Sequence, residues 1–186
     1  LKMLEFPKTC SLCGGALQPA FCFSELKSSQ CLNCRHYISH ALEPADSADY
    51  HQQYEQGEYL VALQQTRLRQ AQVILQGMRQ VFSSAQTLAD LGSGRGWFLQ
   101  SVKGHFQKVA GLDTSALAVE SAKALGAEAV RLSGFELSSG VKKLSFRPDV
   151  VTFLDVIEHF EIDTLKAEWG RLQEMGVSSF VVKVPL

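Results

Sequence analysis

Asp90-Leu91-Gly92-Ser93-Gly94-Arg95-Gly96-Trp97 is the stretch on which the fold turns. It follows the apolar run Thr87 to Leu91 and precedes a helical pattern, so it is a glycine-rich turn from strand to helix. Such a turn brings backbone N–H groups close to a ligand at a helix N-terminus. The dinucleotide fingerprint would need its third glycine at position 97, where Trp97 stands, and an indole there blocks close helix-to-strand contact. The phosphate-loop pattern is absent as well, because no Gly-Lys-Ser/Thr follows.

Outward from this turn, short apolar runs alternate with helix-like segments, which predicts a parallel sheet covered on both faces. The runs are Thr87 to Leu91, Lys108 to Asp113, Ala127 to Leu132, Asp149 to Asp155 and Ser179 to Val184. The fold class is α/β, a Rossmann-like doubly wound, mostly parallel sheet with five strands present. The second run ends at Asp113, 21 positions after Gly92, where an acid in this class of fold hydrogen-bonds a ribose. Glycine turn and aspartate, in register on consecutive strands, indicate an adenosine-type ligand. The fourth run continues Val156-Ile157-Glu158-His159-Phe160. Ligands of open parallel sheets sit beyond the carboxyl ends of the strands, so Asp155, Glu158 and His159 are expected at the same crevice.

Five cysteines fall within the first 34 residues. Cys10-x-x-Cys13 and Cys31-x-x-Cys34 are separated by 17 residues, inside the interval of a four-thiolate zinc site. Two intervening residues let a tight turn aim both sulfurs at one tetrahedral ion, and Gly14 and Gly15 supply permissive backbone. Two disulfides or a redox dithiol fit less well, since a redox dithiol needs only one such motif. Cys22, between Phe21 and Phe23, is taken as a buried thiol or strand residue. His36 and His40 are taken as surface or packing residues, because four thiolates already close a structural site.

Residues 41–49 are small, acidic and contain a proline, the composition of a boundary. Beyond it Leu68, Ala71, Leu75, Met78 and Phe82 recur at three- and four-residue steps, one buried helical stripe. This segment is either a cap over a ligand pocket carrying Tyr50, Tyr54 and Tyr59, or a helix that packs the second domain. The expected organisation is a zinc ribbon over 1–40, linker and helical cap over 41–82, and the α/β domain over 83–186. Lys plus Arg number 18 against 19 Asp plus Glu, and residues 1–49 carry 4 basic and 5 acidic side chains, so no basic arm invites nucleic acid. No apolar run approaches a membrane span or a signal peptide. The expectation is a cytoplasmic chain whose natural start is Met3.

The residues now assembled resemble the class I S-adenosylmethionine-dependent methyltransferases, in particular those with an N-terminal zinc ribbon. Asp90 to Gly96 is similar to that family's first motif, Asp113 to its ribose-binding acid, and Asp155-Val-Ile-Glu-His159 to its motif after the fourth strand. The resemblance implies that Gly92, Ser93 and Gly94 lie against the methionine part of the cofactor and that Asp113 bonds the ribose. It implies that Ser133, Gly134 and Phe135 flank the adenine, and Asp90, Thr114 and Asp155 complete the cofactor-binding set. The zinc set is Cys10, Cys13, Cys31 and Cys34. A sulfonium methyl is already activated, so catalysis is in-line positioning plus removal of an acceptor proton, for which His159 is the candidate base. Its alternative role is to hold the loop after the fourth strand, and Glu158 has a similar alternative as a helix-start carboxylate. His105 is read as a surface residue. The family continues with a sixth and a seventh strand, so the expectation is a C-terminally incomplete domain, with a partner or a second copy covering the fifth-strand edge.

The resemblance implies a small-molecule acceptor such as a sugar, nucleotide-sugar or other metabolite precursor. Two alternatives stand beside it: an RNA base methyltransferase with a zinc module, and a non-catalytic scaffold that binds a protein through the edge strand. A nicotinamide oxidoreductase is disfavoured by Trp97.

Overall fold

A computed structural model describes residues 8–23, 26–40 and 57–184. The chain forms two compact units that meet in sequence at Gly57 and Glu58. The linker over 41–56, with Tyr50 and Tyr54, lies outside the described residues.

The first unit is a three-stranded antiparallel sheet of β1 (Leu17–Phe23), β2 (Leu26–Cys31) and β3 (Tyr37–His40), in the order β1-β2-β3. Cys22 lies on β1, and the β1–β2 register shifts between Pro19 and Cys22. A proline has no N–H to give the ladder, which accounts for an irregularity at that place. Leu17 faces Cys31 in this register, so the end of β2 carries a cysteine of the second pair beside the start of β1.

The second unit opens with helix α1 (Gly57–Val81). There follow β4 (Thr87–Leu91), α2 (Trp97–Val102), β5 (Lys108–Asp113), α3 (Ala116–Ala124), β6 (Glu128–Arg131) and α4 (Leu137–Val141). The chain then runs through β7 (Val150–Leu154), a 3-10 turn (Ile157–His159), α5 (Ile162–Glu174) and β8 (Ser179–Lys183). All five expected strands are present, two with the expected bounds and three shortened by a residue at one or both ends. They pair in parallel in the order β6-β5-β4-β7-β8, so β4 is central and the order reverses between β4 and β7. This is the Rossmann-like doubly wound fold.

Both faces of the sheet are buried, which explains why its strands are continuous apolar runs rather than alternating ones. Ala89, Leu91, Ala110, Leu112, Val151 and Phe153 pack with Leu137, Val141, Leu172 and Val177. Leu88 and Val150 point the other way and pack with Phe98, Leu99, Val102 and Ala122. Ala71, Leu75 and Met78 of α1 join this second cluster, so the stripe that recurs every three or four residues packs the sheet domain. Of the residues offered for a cap, Tyr59 falls on α1.

At the amino end of the strands Asp149 accepts from the backbone N–H groups of Gln86 (2.8 Å) and Thr87 (2.9 Å) and from the Thr87 hydroxyl (2.9 Å). The Gln86 N–H does most to hold this carboxyl below the usual range, with Thr87 and the Arg147 charge adding to it. Asp149 thereby ties the starts of β4 and β7 together. On α5, buried Glu168 accepts from the Ser138 N–H of α4 at 2.7 Å and pairs with Arg171. Burial alone would raise that carboxyl, but Ser138 and Arg171 bring it below the usual range. No helix among the described residues is long and apolar enough to cross a membrane.

Candidate functional site

The turn after β4 takes left-handed backbone at Gly92 (φ 75°), Gly94 (φ 50°) and Gly96 (φ 74°). The N–H groups of Gly92 and Ser93 both donate to the Leu112 carbonyl, at 2.7 and 3.2 Å, which folds the turn over the end of β5. A Cβ on residue 92 would run into the Val156 side chain, so the turn and the segment after β7 touch at a place only glycine permits.

Asp113 ends β5 and holds the turn from the side. Its Oδ2 accepts from Gly94 N and its Oδ1 from Ser115 N, both at 2.8 Å. Each carboxylate oxygen keeps a second lone pair for a ligand hydroxyl. Ser115 in turn caps α3, accepting from Ala118 N at 3.4 Å.

Asp90 lies inside the sheet, 2% exposed. The Thr152 hydroxyl donates to its Oδ1 at 2.5 Å. Burial pushes this carboxyl up to about 7; Thr152 opposes the rise and the Asp113 charge adds to it. The Ser93 hydroxyl is buried with no hydrogen-bond partner, and it is the one such side-chain atom among the described residues. An unpartnered buried hydroxyl carries a desolvation cost that a bound polar atom would relieve.

Beyond β5 and β6, Thr114, Arg131, Leu132 and Ser133 line an open hollow of about 460 Å³. Arg131 Nε donates to the Thr114 carbonyl at 3.3 Å, and Ser133 Oγ donates to Glu136 Oε2 at 3.3 Å. Gly134 follows Ser133, and exposed Phe135 meets Phe160 edge to face with ring centroids 4.5 Å apart. These residues leave an aromatic edge and a carboxylate beside the hollow.

Asp155 follows β7 in left-handed backbone, φ 58°. It is one of the residues expected to contact the cofactor, and its carboxylate is bound by two cations. Lys183 Nζ donates to Oδ1 at 2.6 Å and also reaches Oδ2, where the Arg67 guanidinium of α1 binds as well. Burial holds the Lys183 ammonium below its ordinary range and the Arg67 charge adds to this, while Glu158 opposes it. Glu158 and His159 are exposed on the 3-10 turn after Asp155, ahead of α5 rather than on it. His105 is exposed in the turn after α2. Val156, Arg67 and Lys183 were not foreseen. Lys183 had a signal, as the lone cation in Phe180-Val-Val-Lys-Val184. Arg67 had none, in a Gln-rich helix with other arginines.

In the first unit the Sγ atoms of Cys10, Cys13, Cys31 and Cys34 all lie within 4.8 Å of one another, and none is in a disulfide. Each pair sits on a tight knuckle: Gly14 N donates to the Cys10 carbonyl at 2.8 Å and Arg35 N to the Cys31 carbonyl at 3.1 Å, with Gly14 (φ 71°) and Arg35 (φ 63°) left-handed. A Cβ on residue 15 would press on the sulfurs of Cys31 and Cys13. The Gly15 N–H and the neighbouring thiols pull Cys13 down to about 6. Despite the His36 N–H, the surrounding thiols and burial push Cys34 up to about 12. A soft donor set of four cysteine sulfurs suits zinc, and a divalent cation removes the mutual repulsion that opposes their joint ionisation. His36 is exposed, outside the four-sulfur set.

Residues 89–177 match the family described as methyltransferase domain. Among solved structures the chain is similar to DesVI of Streptomyces venezuelae, with a TM-score of 0.54 and 20% identity over 77% of this chain and 59% of that one. It is also similar to S-adenosylmethionine-bound CalS10, an amino pentose methyltransferase from Micromonospora echinaspora involved in calicheamicin biosynthesis. There the TM-score is 0.52 and the identity 14%, over 79% of this chain and 59% of that one. The chain thus spans about 59% of the length of either. At these identities the likeness is one of fold. No curated protein matches the sequence.

Proposed function

We propose that this chain, whose residues 89–177 match the family described as methyltransferase domain, binds S-adenosylmethionine at the turn after β4 and serves methyl transfer to a small-molecule acceptor. The observation that carries the reading is the buried, unpartnered Ser93 hydroxyl in a glycine turn held by Asp113. The turn fits such a group: Gly94 has open space where a Cβ would stand, and Ser93 offers a polar atom with no protein partner. Gly92, Ser93 and Gly94 would hold its amino-acid part, Asp113 with Thr114 its ribose, and Gly134 and Phe135 its adenine beside the hollow over Leu132. Asp90 would add a buried carboxyl behind the turn. When bound, the group supplies an activated sulfonium methyl.

The chain's own residues would then do two things. The rigid turn fixes position, which for a pre-activated methyl is most of the catalytic task. His159, on the exposed turn after β7, would take a proton from the acceptor at an imidazole nitrogen. The four thiolates Cys10, Cys13, Cys31 and Cys34 would hold a structural zinc ion, with no ligand position left open for chemistry. A sugar or nucleotide-sugar acceptor fits the fold-level likeness to an amino pentose methyltransferase.

Calorimetric titration of the zinc-loaded chain with S-adenosylmethionine, S-adenosylhomocysteine and NAD tests the reading. Micromolar binding of the first two and none of the third is expected. Folded protein that binds neither of the first two overturns it.

A further inference from the structure

The Arg67–Asp155–Lys183 cluster is a group of charged side chains at the carboxyl ends of the strands to which the proposed methyl transfer gives no role. Its parts come from three elements: α1, the end of β7 and the end of β8. It stands at the carboxyl ends of the strands, on the β7–β8 side of the place where the strand order reverses. The next residue, Val156, packs against Gly92, so the cluster adjoins the far side of the proposed cofactor turn from the hollow over Leu132. Ligands of open parallel sheets bind in the crevice outside these strand ends.

The exposure of the three side chains is graded. Asp155 is 11% exposed, whereas Arg67 and Lys183 are 30% and 28% exposed. The carboxylate is therefore the inner member, and solvent meets the two cations. Of the Arg67 donors, Nη1 bonds Asp155 and Gln70; its Nε and Nη2 hydrogens make no hydrogen bond among the described residues. One partly buried carboxylate faces two positive charges, and Arg67 already disfavours the charge on Lys183. Glu158, exposed on the 3-10 turn, is the other acid near Lys183, and solvent screens it. A second anion arriving from solvent would relieve this repulsion, and the free edge of a guanidinium suits two oxygens of one group.

We propose that Arg67 and Lys183 form an anion-binding pair on the acceptor side of the crevice, receiving a phosphate or carboxylate group of the acceptor while Asp155 holds both cations in place. This rests on the methyltransferase reading for the word acceptor, and on the cluster alone for the anion. Arg67 and Lys183 are then specificity-determining residues that select a charged acceptor over its neutral counterpart.

The test titrates inorganic pyrophosphate and, separately, succinate into the zinc-loaded full chain, with and without saturating S-adenosylhomocysteine. Binding of at least one is expected, and which one separates phosphate from carboxylate recognition. Arg67→Met and Lys183→Met should each weaken it at least tenfold. Asp155→Asn, which removes the competing internal anion, should tighten it severalfold, so the proposal is tested even if a methionine variant fails to fold. Folded protein that binds neither probe overturns the proposal, and so does binding that all three variants leave unchanged. If S-adenosylhomocysteine fails to bind while pyrophosphate binds and responds to the variants, the methyl-transfer reading falls and the anion pair stands.

Discussion

The Thr152 hydroxyl on β7 donates to Oδ1 of Asp90 on β4 at 2.5 Å, two residues before the glycine turn. It is a neutral donor on a buried acid, and burial outweighs it, leaving the carboxyl at about 7 instead of 3.8. Between those two pH values the folded chain keeps a proton that the unfolded chain has released. Stability therefore falls as pH rises from about 4 to about 7 and levels off above. At about 1.4 kcal/mol per tenfold change in proton affinity, the loss has a ceiling of about 4 kcal/mol. Asp90→Asn has no proton to lose there. Urea unfolding should show the variant gaining on the wild type by a few kcal/mol between pH 4.5 and 7.5; a difference that stays constant over that range contradicts the assignment.

Gly92→Ala places a methyl group in left-handed backbone and against Val156. A loss of about 1–3 kcal/mol in unfolding free energy is expected, with S-adenosylhomocysteine affinity down at least tenfold. Adding Val156→Ala should restore part of the stability, because it removes the collision and leaves the backbone strain. Full restoration would mean the φ angle is not strained.

Ser93→Ala removes the buried hydroxyl that has no partner. The free protein should become more stable by about 1 kcal/mol, since an unpaired buried polar group is a standing cost. Cofactor affinity should fall about five- to tenfold, the worth of one hydrogen bond. Thermal unfolding with and without S-adenosylhomocysteine reads both effects, and a variant that changes neither removes Ser93 from the site.

Metal analysis of protein purified without chelator should give one zinc ion per chain, and Cys31→Ser should bring it close to none. Since structural zinc binding is also folding free energy, a strong chelator should unfold the sheet of β1, β2 and β3 as it extracts the ion. An antiparallel sheet that persists in metal-free protein would show that its strands hold without the four sulfurs.

The sequence was legible where one short stretch carries its own physics. The strands β4 and β5 begin and end at the expected residues because each apolar run is bounded by a polar or turn residue and buried on both faces. The glycine turn, Asp113 and the two Cys-x-x-Cys pairs were readable because spacing alone constrains their geometry. What was illegible depends on elements far apart in sequence. Arg67 meets Asp155 across 88 positions and Lys183 meets it across 28, so no window of sequence holds the cluster. Asp155 was seen as a residue at the crevice, yet its two cations were not. Likewise nothing local marks Glu168 as the acceptor for Ser138, thirty positions away. The 3-10 turn that lifts His159 ahead of α5 was also missed, because three residues are too few to show a period.

Asp149, which ties the starts of β4 and β7, lies at the opposite end of the sheet from every candidate ligand residue of the second unit. The two ends can therefore drift apart in evolution. The carboxyl-end loops can be re-lined for a different ligand while a single aspartate keeps the central strands aligned. A lineage that changes what it binds would leave its trace around Asp155 and His159 and leave Thr87 and Asp149 untouched.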